Sequence, residues 1–419
     1  MVKMTDSKTL MTTPSLSTGK IIISHSPLST GEGDHTDPSS TEPVVCNDQY
    51  YMARALQLGL LGLWSTDPNP RVGCVIVRDG KIVGEGWHLS AGEAHAEIHA
   101  LQMAQEQAKG ATCYITLEPC CHYGRTPPCT DALIKAGISR VVVAMTDPNP
   151  LVSSKGIEQL LKAGIQVDTG VLSHEAEQLN PGFFMRMRHN RPYIRCKLAM
   201  SLDGRTAMAS GESQWITSGD ARSDVQCLRA RSSAIMTGAG TVLADDPRLT
   251  VREAELPCQL APSKPAKIKQ PLRVIIDAHL SMPKNARMLS LPGQTIIFTA
   301  SKTESVKSIL TQSGAQIIYL PNREREVDLP KMCQFLASEY EVNEVQMETG
   351  ATLSGAMLRA GLVDELVIYM APILMGNKAR GLFNLPEIER INQHLPLEIA
   401  EIRAVGRDWR ITAYPNSSR

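Results

Sequence analysis

His95-Ala96-Glu97, followed further along by Pro119-Cys120 and then Cys129, places an imidazole, two thiols and a carboxylate in a pattern capable of chemistry. A neutral imidazole and two thiolates are three of the four donors zinc prefers, and they leave one position open for water. Zinc lowers the pKa of a bound water to roughly 7, which makes hydroxide available at neutral pH. Glu97 stands two residues from His95, near enough to share its pocket without being a ligand. From there it can carry a proton from an attacking water to a departing amine. The pattern predicts hydrolysis of a carbon–nitrogen bond.

Spacing alone leaves the ligand set open. Zinc deaminases carry H-x-E followed by P-C-x-x-C, whereas eight residues separate Cys120 from Cys129 here, and Cys121 adjoins Cys120. A structural zinc would recruit a fourth Cys or His at knuckle spacing, and none is evident. His122 is the nearby candidate, yet residues so close in sequence rarely converge on one ion. Glu97, which a structural zinc would not need, favours the catalytic arrangement.

The loop Leu117-Glu-Pro-Cys-Cys-His-Tyr-Gly-Arg-Thr-Pro-Pro-Cys129 closely resembles the zinc loop of the bifunctional deaminase–reductases of riboflavin biosynthesis. Pro68-Asn-Pro-Arg-Val-Gly73, Ala94-His-Ala-Glu97 and Asp147-Pro-Asn-Pro150 match the same family. Cytidine and transfer-RNA deaminases are similar at a greater distance, with a shorter loop. The resemblance covers residues 47–415. It implies that His95, Cys120 and Cys129 bind zinc and that Glu97 shuttles the proton. It also implies that Asn69 hydrogen-bonds the pyrimidine and that Arg125 meets the substrate at its phosphate. Relatives often carry Ser where Cys121 stands, which leaves Cys121 outside the ligand set. By residue type alone, Asn69 is a turn residue between prolines and Arg125 a solvated loop charge.

In the second half no Gly-x-Gly-x-x-Gly follows a strand, so a Rossmann assignment is unsupported. Val345-Gln-Met-Glu-Thr-Gly-Ala-Thr-Leu-Ser-Gly-Ala356 instead runs from an apolar strand through Gly350 into a helix. Free N–H groups at such a helix start attract phosphate, and glycine lets the backbone approach it. Lys197-Leu-Ala-Met-Ser-Leu-Asp-Gly-Arg205, Ser213-Gln-Trp-Ile-Thr217 and Gly240-Thr-Val-Leu-Ala-Asp-Asp-Pro247 resemble the reductase half of the same family, which is similar in fold to dihydrofolate reductase. The resemblance implies NADPH contacts from Ala199, Trp215, Thr241, Asp245 and the turn Gly350, Ala351, Thr352, Leu353, Ser354, Gly355 and Ala356. It implies substrate contacts from Lys197, Ser213, Arg229, Leu249, Arg252 and Glu348, with Lys197 and Asp245 close to the chemistry. Arg229 and Arg252 carry planar donor forks suited to a sugar phosphate. Lys197 or Asp245 can move protons as the ribose ring opens, while the nicotinamide supplies hydride. Taken singly, Trp215 reads as core, Asp245-Asp246 as a cap and the arginines as surface.

These groups need a scaffold, and the patterning predicts an α/β one. Residues 1–45, rich in Ser, Thr, Gly and Pro, read as a disordered leader. Met52, Leu56, Leu60 and Leu63 mark one face of a helix. Two strands, 73–78 and 81–85, meet at Asp79-Gly80, a hairpin dipeptide. Helix 95–107, strand 111–117, a helix ending at Gly137, strand 140–144, helix 156–163 and strand 165–167 follow. Asn180-Pro-Gly182 and Arg191-Pro192 suggest a boundary. Strands at 193–198, 234–236, 272–277, 295–298, 316–320, 345–347 and 365–369 make a second series, and 253–271 reads as an exposed loop. The expectation is a cytidine-deaminase-like three-layer domain at 46–190, followed by a dihydrofolate-reductase-like α/β domain at 191–419.

Composition narrows the partners. Lys+Arg and Asp+Glu both total 43, whereas nucleic-acid binders usually carry a basic excess. No apolar run approaches the ~20 residues of a membrane span, and the first 45 residues lack a secretory core. Ten cysteines in a large chain of this kind should stay reduced, so the cytoplasm is the expected address. The expected partners are a small phosphorylated pyrimidine and other copies of the chain, with no nucleic acid or membrane. By resemblance, the first half converts 2,5-diamino-6-(5-phosphoribosylamino)pyrimidin-4(3H)-one to 5-amino-6-(5-phosphoribosylamino)uracil. The second then reduces the ribosyl side chain to ribityl with NADPH. A nucleoside or RNA deaminase fused to another reductase, and a zinc-stabilised binding module without turnover, are the rivals.

Overall fold

Asp79 and Gly80 both take positive φ, 50° and 73°, the left-handed pair that a tight hairpin requires. They join β1 (Gly73–Arg78) to β2 (Lys81–Trp87). The structure, a computed structural model, describes residues 47–123, 127–150, 152–256 and 268–416. The expected leader at 1–45 therefore lies outside the described residues. With β3 (Thr112–Ile115), β4 (Arg140–Val143) and β5 (Gln166–Thr169), the hairpin makes a mixed sheet ordered β2-β1-β3-β4-β5.

Four consecutive residues of β1, Cys74 to Val77, are buried, because helices cover both faces of the sheet. On one side α1 (Asp48–Leu60) and α5 (Ser173–Leu179) pack on Val75, Val77 and Val142. On the other, α2 (Ala96–Ala104), α3 (Cys129–Lys135) and α4 (Lys155–Lys162) pack on Cys74, Ile76 and Val141. These are the three expected layers. The α1 periodicity is only partly used: the helix stops at Leu60, which is exposed, and Leu63 lies beyond it. The helix expected at 95–107 ends at Ala104 and tightens into a 3-10 turn, Gln105–Ala108.

The expected break at Asn180-Pro-Gly182 is instead the start of a helix, α6 (Pro181–His189). Proline at the first helical position costs no hydrogen bond, since that N–H has no partner in the helix. From α6 the chain enters β6 (Tyr193–Ser201) and then β7 (Arg205–Ala207), α7 (Gly219–Ala230), β8 (Ala234–Gly238) and α8 (Ala239–Asp245). It continues through β9 (Leu272–Ile276), β10 (Thr295–Thr299), α9 (Glu304–Gln312), β11 (Ala315–Tyr319) and α10 (Leu329–Glu339). β12 (Glu344–Glu348), α11 (Ala351–Arg359), β13 (Glu365–Ala371), β14 (Arg380–Gly381), β15 (Leu397–Val405) and β16 (Asp408–Pro415) complete it. Nine of these strands form one sheet, β11-β10-β9-β8-β12-β6-β13-β16-β15. The seven from β11 to β13 are parallel, and β16 and β15 are antiparallel additions. The Pro/Lys-rich stretch at 253–271 is described only at its ends, where Ile268 is buried against Ala230 and Val251.

The placement of α2 fixes His95 and Glu97. A Cβ on Gly84 would lie 2.2 Å from the Ala100 carbonyl oxygen, and one on Gly86 2.3 Å from that of Ala96. The helix backbone therefore rests directly on β2, and only glycine leaves it room. Gly86→Ala should lower stability by about 1–3 kcal/mol, the usual range for overpacking, and reduce zinc retention because the first turn of α2 must lift. Denaturant midpoints and zinc per chain measure both; an unchanged protein would contradict the close-packed geometry.

Candidate active sites

The three metal-donor side chains come from three places. His95 is the N-cap of α2, Cys120 lies in the loop after β3, and Cys129 is the first residue of α3. His95 Nδ1 lies 3.5 Å from Cys120 Sγ and 3.3 Å from Cys129 Sγ, and the donor atoms all fall within 4.8 Å of one another. Tetrahedral zinc with Zn–N near 2.1 Å and Zn–S near 2.3 Å calls for N–S separations of about 3.5 Å. The donor set fits the ion in both chemistry and spacing. Cys129 also gives its N–H to Cys120 Sγ at 3.4 Å.

The electrostatics agree. A hydrogen bond shared with Cys129, with further help from His95, pulls the Cys120 thiol down to about 4, while the same shared proton pushes the Cys129 thiol up. The hydrogen bond to Cys120 also raises His95. Glu97, only 3% exposed, is pushed up to about 7, chiefly by burial. A carboxyl so placed can hold or release a proton near neutral pH.

Asn69 reaches this pocket through a residue the sequence reading missed. Its Nδ2 lies 3.2 Å from His88 Nε2, and His88 Nδ1 lies 3.2 Å from the Ala94 carbonyl oxygen. A ring that accepts from Asn69 and donates to Ala94 is neutral, consistent with burial lowering its pKa. The His88 and His95 rings meet edge to face, 5.3 Å apart. His88 follows β2 without motif spacing; the visible clue was that the hairpin returns Trp87 beside Gly73, and so brings His88 back to the Asn69 loop. Glu118 was also missed. Its buried carboxylate accepts from the N–H groups of Asp147, Ser154, Gly156 and Ile157, tying the Asp147–Pro150 motif to the zinc loop. Arg125 lies outside the described residues.

The second site is a cavity of about 2170 Å³ over one end of the nine-stranded sheet. Lys197, Ala199, Ser213, Thr241, Asp245 and Glu348 line it, with Trp215 69% exposed at its wall. Trp215 is thus not core; the Arg222 guanidinium lies 4.6 Å above its ring. Burial raises Asp245 and lowers Lys197, which adjoins Glu348 and Arg229. Gly350, Ala351, Thr352, Leu353 and Ala356 also line the cavity. The first α11 backbone bond runs from Ser354 N–H to Gly350, so the amides of Ala351 to Leu353 precede it and remain available to an anion.

Three expectations need adjustment. Ser354 and Gly355 face away from the cavity: Ser354 is buried against Cys196, and Gly355 packs on the Asn384 backbone. Arg229 is not an open fork. Its Nε and Nη2 bind both Glu348 oxygens at 2.7 and 2.8 Å, and its Nη1 donates to the Thr250 carbonyl oxygen. Arg252, paired with Glu255 at 2.8 Å on the exposed rim, can exchange that partner more readily. Leu249 touches the cavity while packing mainly into the core, at 2% exposure.

Two family models match the chain. Residues 45–145 match the cytidine and deoxycytidylate deaminase zinc-binding region, and residues 192–411 match the RibD C-terminal domain. The riboflavin biosynthesis protein RibD of Escherichia coli (strain K12) is 52% identical over 362 residues, 86% of this chain and 97% of that protein. The chain belongs to the RibD family. The RibD of Haemophilus influenzae is 45% identical, across 88% of this chain and 97% of its own. A solved structure of Acinetobacter baumannii RibD superposes with a TM-score of 0.80 at 44% identity, covering 88% of this chain and 99% of that one. A Thermotoga maritima structure, named as a diaminohydroxyphosphoribosylaminopyrimidine deaminase/5-amino-6-(5-phosphoribosylamino)uracil reductase, gives 0.74 at 30% identity, covering 88% and 98%. Like its family, the chain is a bifunctional deaminase and reductase of riboflavin biosynthesis, with zinc and NADPH as cofactors.

The donor geometry separates ligands from neighbours. Cys121→Ser should retain about one zinc per chain, whereas Cys120→Ser or Cys129→Ser should lose most of it. Metal analysis of the purified variants decides; loss of zinc from Cys121→Ser would redraw the ligand set.

Proposed function

We propose that His95, Cys120 and Cys129 hold the zinc, and that the substrate of the first site is 2,5-diamino-6-(5-phosphoribosylamino)pyrimidin-4(3H)-one, which loses its 2-amino group as ammonia. The observation that carries this is the buried Glu97 carboxyl beside the imidazole–dithiol trio. Zinc bound there supplies an activated water at neutral pH. Glu97 takes a proton from that water and delivers it to the leaving nitrogen, a role suited to a buried carboxyl whose hold on the proton is strengthened by desolvation. One of the two Asn69 amide N–H groups is turned to His88, which leaves its carbonyl oxygen and its second N–H to meet the pyrimidine ring. Arg125 meets the phosphate.

In the second site Lys197, Asp245 and Glu348 surround the ribosyl carbon, and bound NADPH supplies its hydride. The Arg229 guanidinium holds Glu348 in place. Ser213 and Arg252 contact the substrate and its phosphate, with Leu249 behind them. Ala199, Trp215, Thr241 and the amides of Ala351 to Leu353 receive the cofactor. The division of labour runs at 46–190 and 191–419, with α6 as the last element of the first part.

The remaining partners follow from surface and charge. Leu397, Ile399 and Ile402 of the edge strand β15 are exposed, as are Trp409 and Tyr414 of β16. An apolar edge of this kind is a pairing hazard unless covered, and a second copy of the chain covers it in our reading. Equal counts of acidic and basic residues speak against nucleic acid. Among the described residues no helix is long and apolar enough to cross a membrane; the cytoplasmic address rests on the expectation that the cysteines stay reduced.

Incubation with the diaminopyrimidine phosphate, reading ammonia and NADPH consumption separately, tests both halves. Glu97→Gln should lower ammonia release by roughly 10²–10⁴-fold, the usual worth of general acid–base catalysis, with zinc retained. Arg252→Ala should reduce kcat/KM for NADPH oxidation roughly tenfold, as for loss of a charged hydrogen bond, and leave ammonia release intact. Normal turnover by Glu97→Gln would end the first assignment, and parallel loss of both activities in folded Arg252→Ala the second.

A further inference from the structure

The loop that carries Asn69 is gripped by the other half of the chain. Asp67 Oδ1 accepts from Ser233 Oγ at 2.6 Å and from Asn343 Nδ2 at 3.3 Å. The same Asn343 Nδ2 donates to the Pro68 carbonyl oxygen at 2.8 Å. Asn343 Oδ1 is held in turn by Arg186 Nε at 2.7 Å, which fixes which end of the amide faces the loop. Ser233 Oγ also accepts from the backbone N–H groups of Asn343 and Glu344. On the far side of Asn69, Arg71 pairs with Glu344 at 2.8 Å and exchanges two hydrogen bonds with Asn180. Arg71, Ser233, Asn343 and Glu344 are all buried.

We propose that Asn343 and Ser233, at the ends of β12 and β8 in the nine-stranded sheet, are positioning residues for deamination, holding Asp67 and Pro68 so that Asn69 presents its amide to the pyrimidine. The inference rests on the reading of Asn69 as a substrate contact. The Pro68 carbonyl belongs to the planar peptide unit that also contains the Asn69 nitrogen. Fixing that carbonyl fixes the plane from which the Asn69 side chain departs. His88 then sets the orientation of the amide itself. Remote contacts of this kind matter because a misplacement of about 1 Å at a reacting group costs on the order of 10²-fold in rate. The deaminase half thus borrows part of its substrate-binding geometry from the reductase half.

Asn343→Asp tests this with little change of shape. It keeps an oxygen for Arg186 but replaces the donor to Asp67 and Pro68 with a second acceptor. In the full-length, zinc-loaded protein, kcat/KM for deamination should fall tenfold or more. Zinc content should be unchanged, as should NADPH oxidation measured directly on 5-amino-6-(5-phosphoribosylamino)uracil. Asn343→Ala removes the clamp without adding charge, and serves if the aspartate variant does not fold. In an Asn69→Ala background, Asn343→Asp should cost nothing further, because the clamp acts through Asn69. Wild-type deamination in both Asn343 variants overturns the proposal, as does equal loss of both activities or a full additional loss in the double variant. If Asn69→Ala alone deaminates normally, the substrate reading of Asn69 fails first and is seen to do so separately.

Discussion

Two thiols and an imidazole brought within 4.8 Å of one another beside a buried carboxyl make a pocket that favours a cation, and this constraint shapes the first half of the molecule. The hydrogen bond between the two thiols lowers the pKa of Cys120 and raises that of Cys129, and burial raises that of Glu97. A dication is the charge that releases both thiols at once, since metal ligands must be deprotonated. Such a pocket works only if its walls are fixed before the ion arrives. Direct contact between α2 and β2 at Gly84 and Gly86 fixes one wall, and the four amides gathered on Glu118 fix the loop opposite.

In the second half the same problem is solved by pairing. Glu344 is buried among three guanidiniums; burial opposes its charge, yet Arg231, Arg71 and Arg195 hold the carboxyl well below the ordinary range. Arg195 also binds Glu365, and Arg229 binds Glu348 with both prongs. Removing one member of a buried pair typically costs about 3–5 kcal/mol, because the survivor is left uncompensated. The end of α7 is therefore locked to β12 at two points, through Arg229 and through Arg231. One lock faces the reductase cavity and the other faces the deaminase half.

Much of this was legible in the sequence, for identifiable reasons. Strands flanked by glycine and aspartate, such as the β1–β2 hairpin, announce themselves because turn chemistry is local. The grouping of His95, Cys120 and Cys129, whose donor atoms the fold brings within 4.8 Å, was legible because metal chemistry restricts residue type severely. α6 was hidden because proline reads as a breaker although it is equally at home at a helix start. The β15–β16 hairpin was hidden because its outward face carries Leu397, Ile399 and Ile402 where polar residues would mark a solvated strand. Arg229 shows a different limit. Residue type gave it a donor fork but could not say that Glu348, 119 positions away, already occupies it. His88 carries no motif, and Glu118 stands inside the zinc-loop motif without a role that its residue type announces; both roles arise from what the fold brings near them.

The two halves share more than a boundary. Residues of a strand alternate between faces, so Val345 and Met347 enter the core while Glu344 and Glu348 lie together on the opposite side. They are four residues apart, roughly 13 Å along a strand. One answers to Arg71 beside the deaminase loop, the other to Arg229 in the reductase cavity. β12 is hydrogen-bonded to β8 on one edge and β6 on the other. A one-residue slip would turn its charged face into the apolar core. The Arg71 pairing beside the Asn69 loop and the Glu348 carboxylate of the reductase cavity are therefore anchored on the same strand, one at each end.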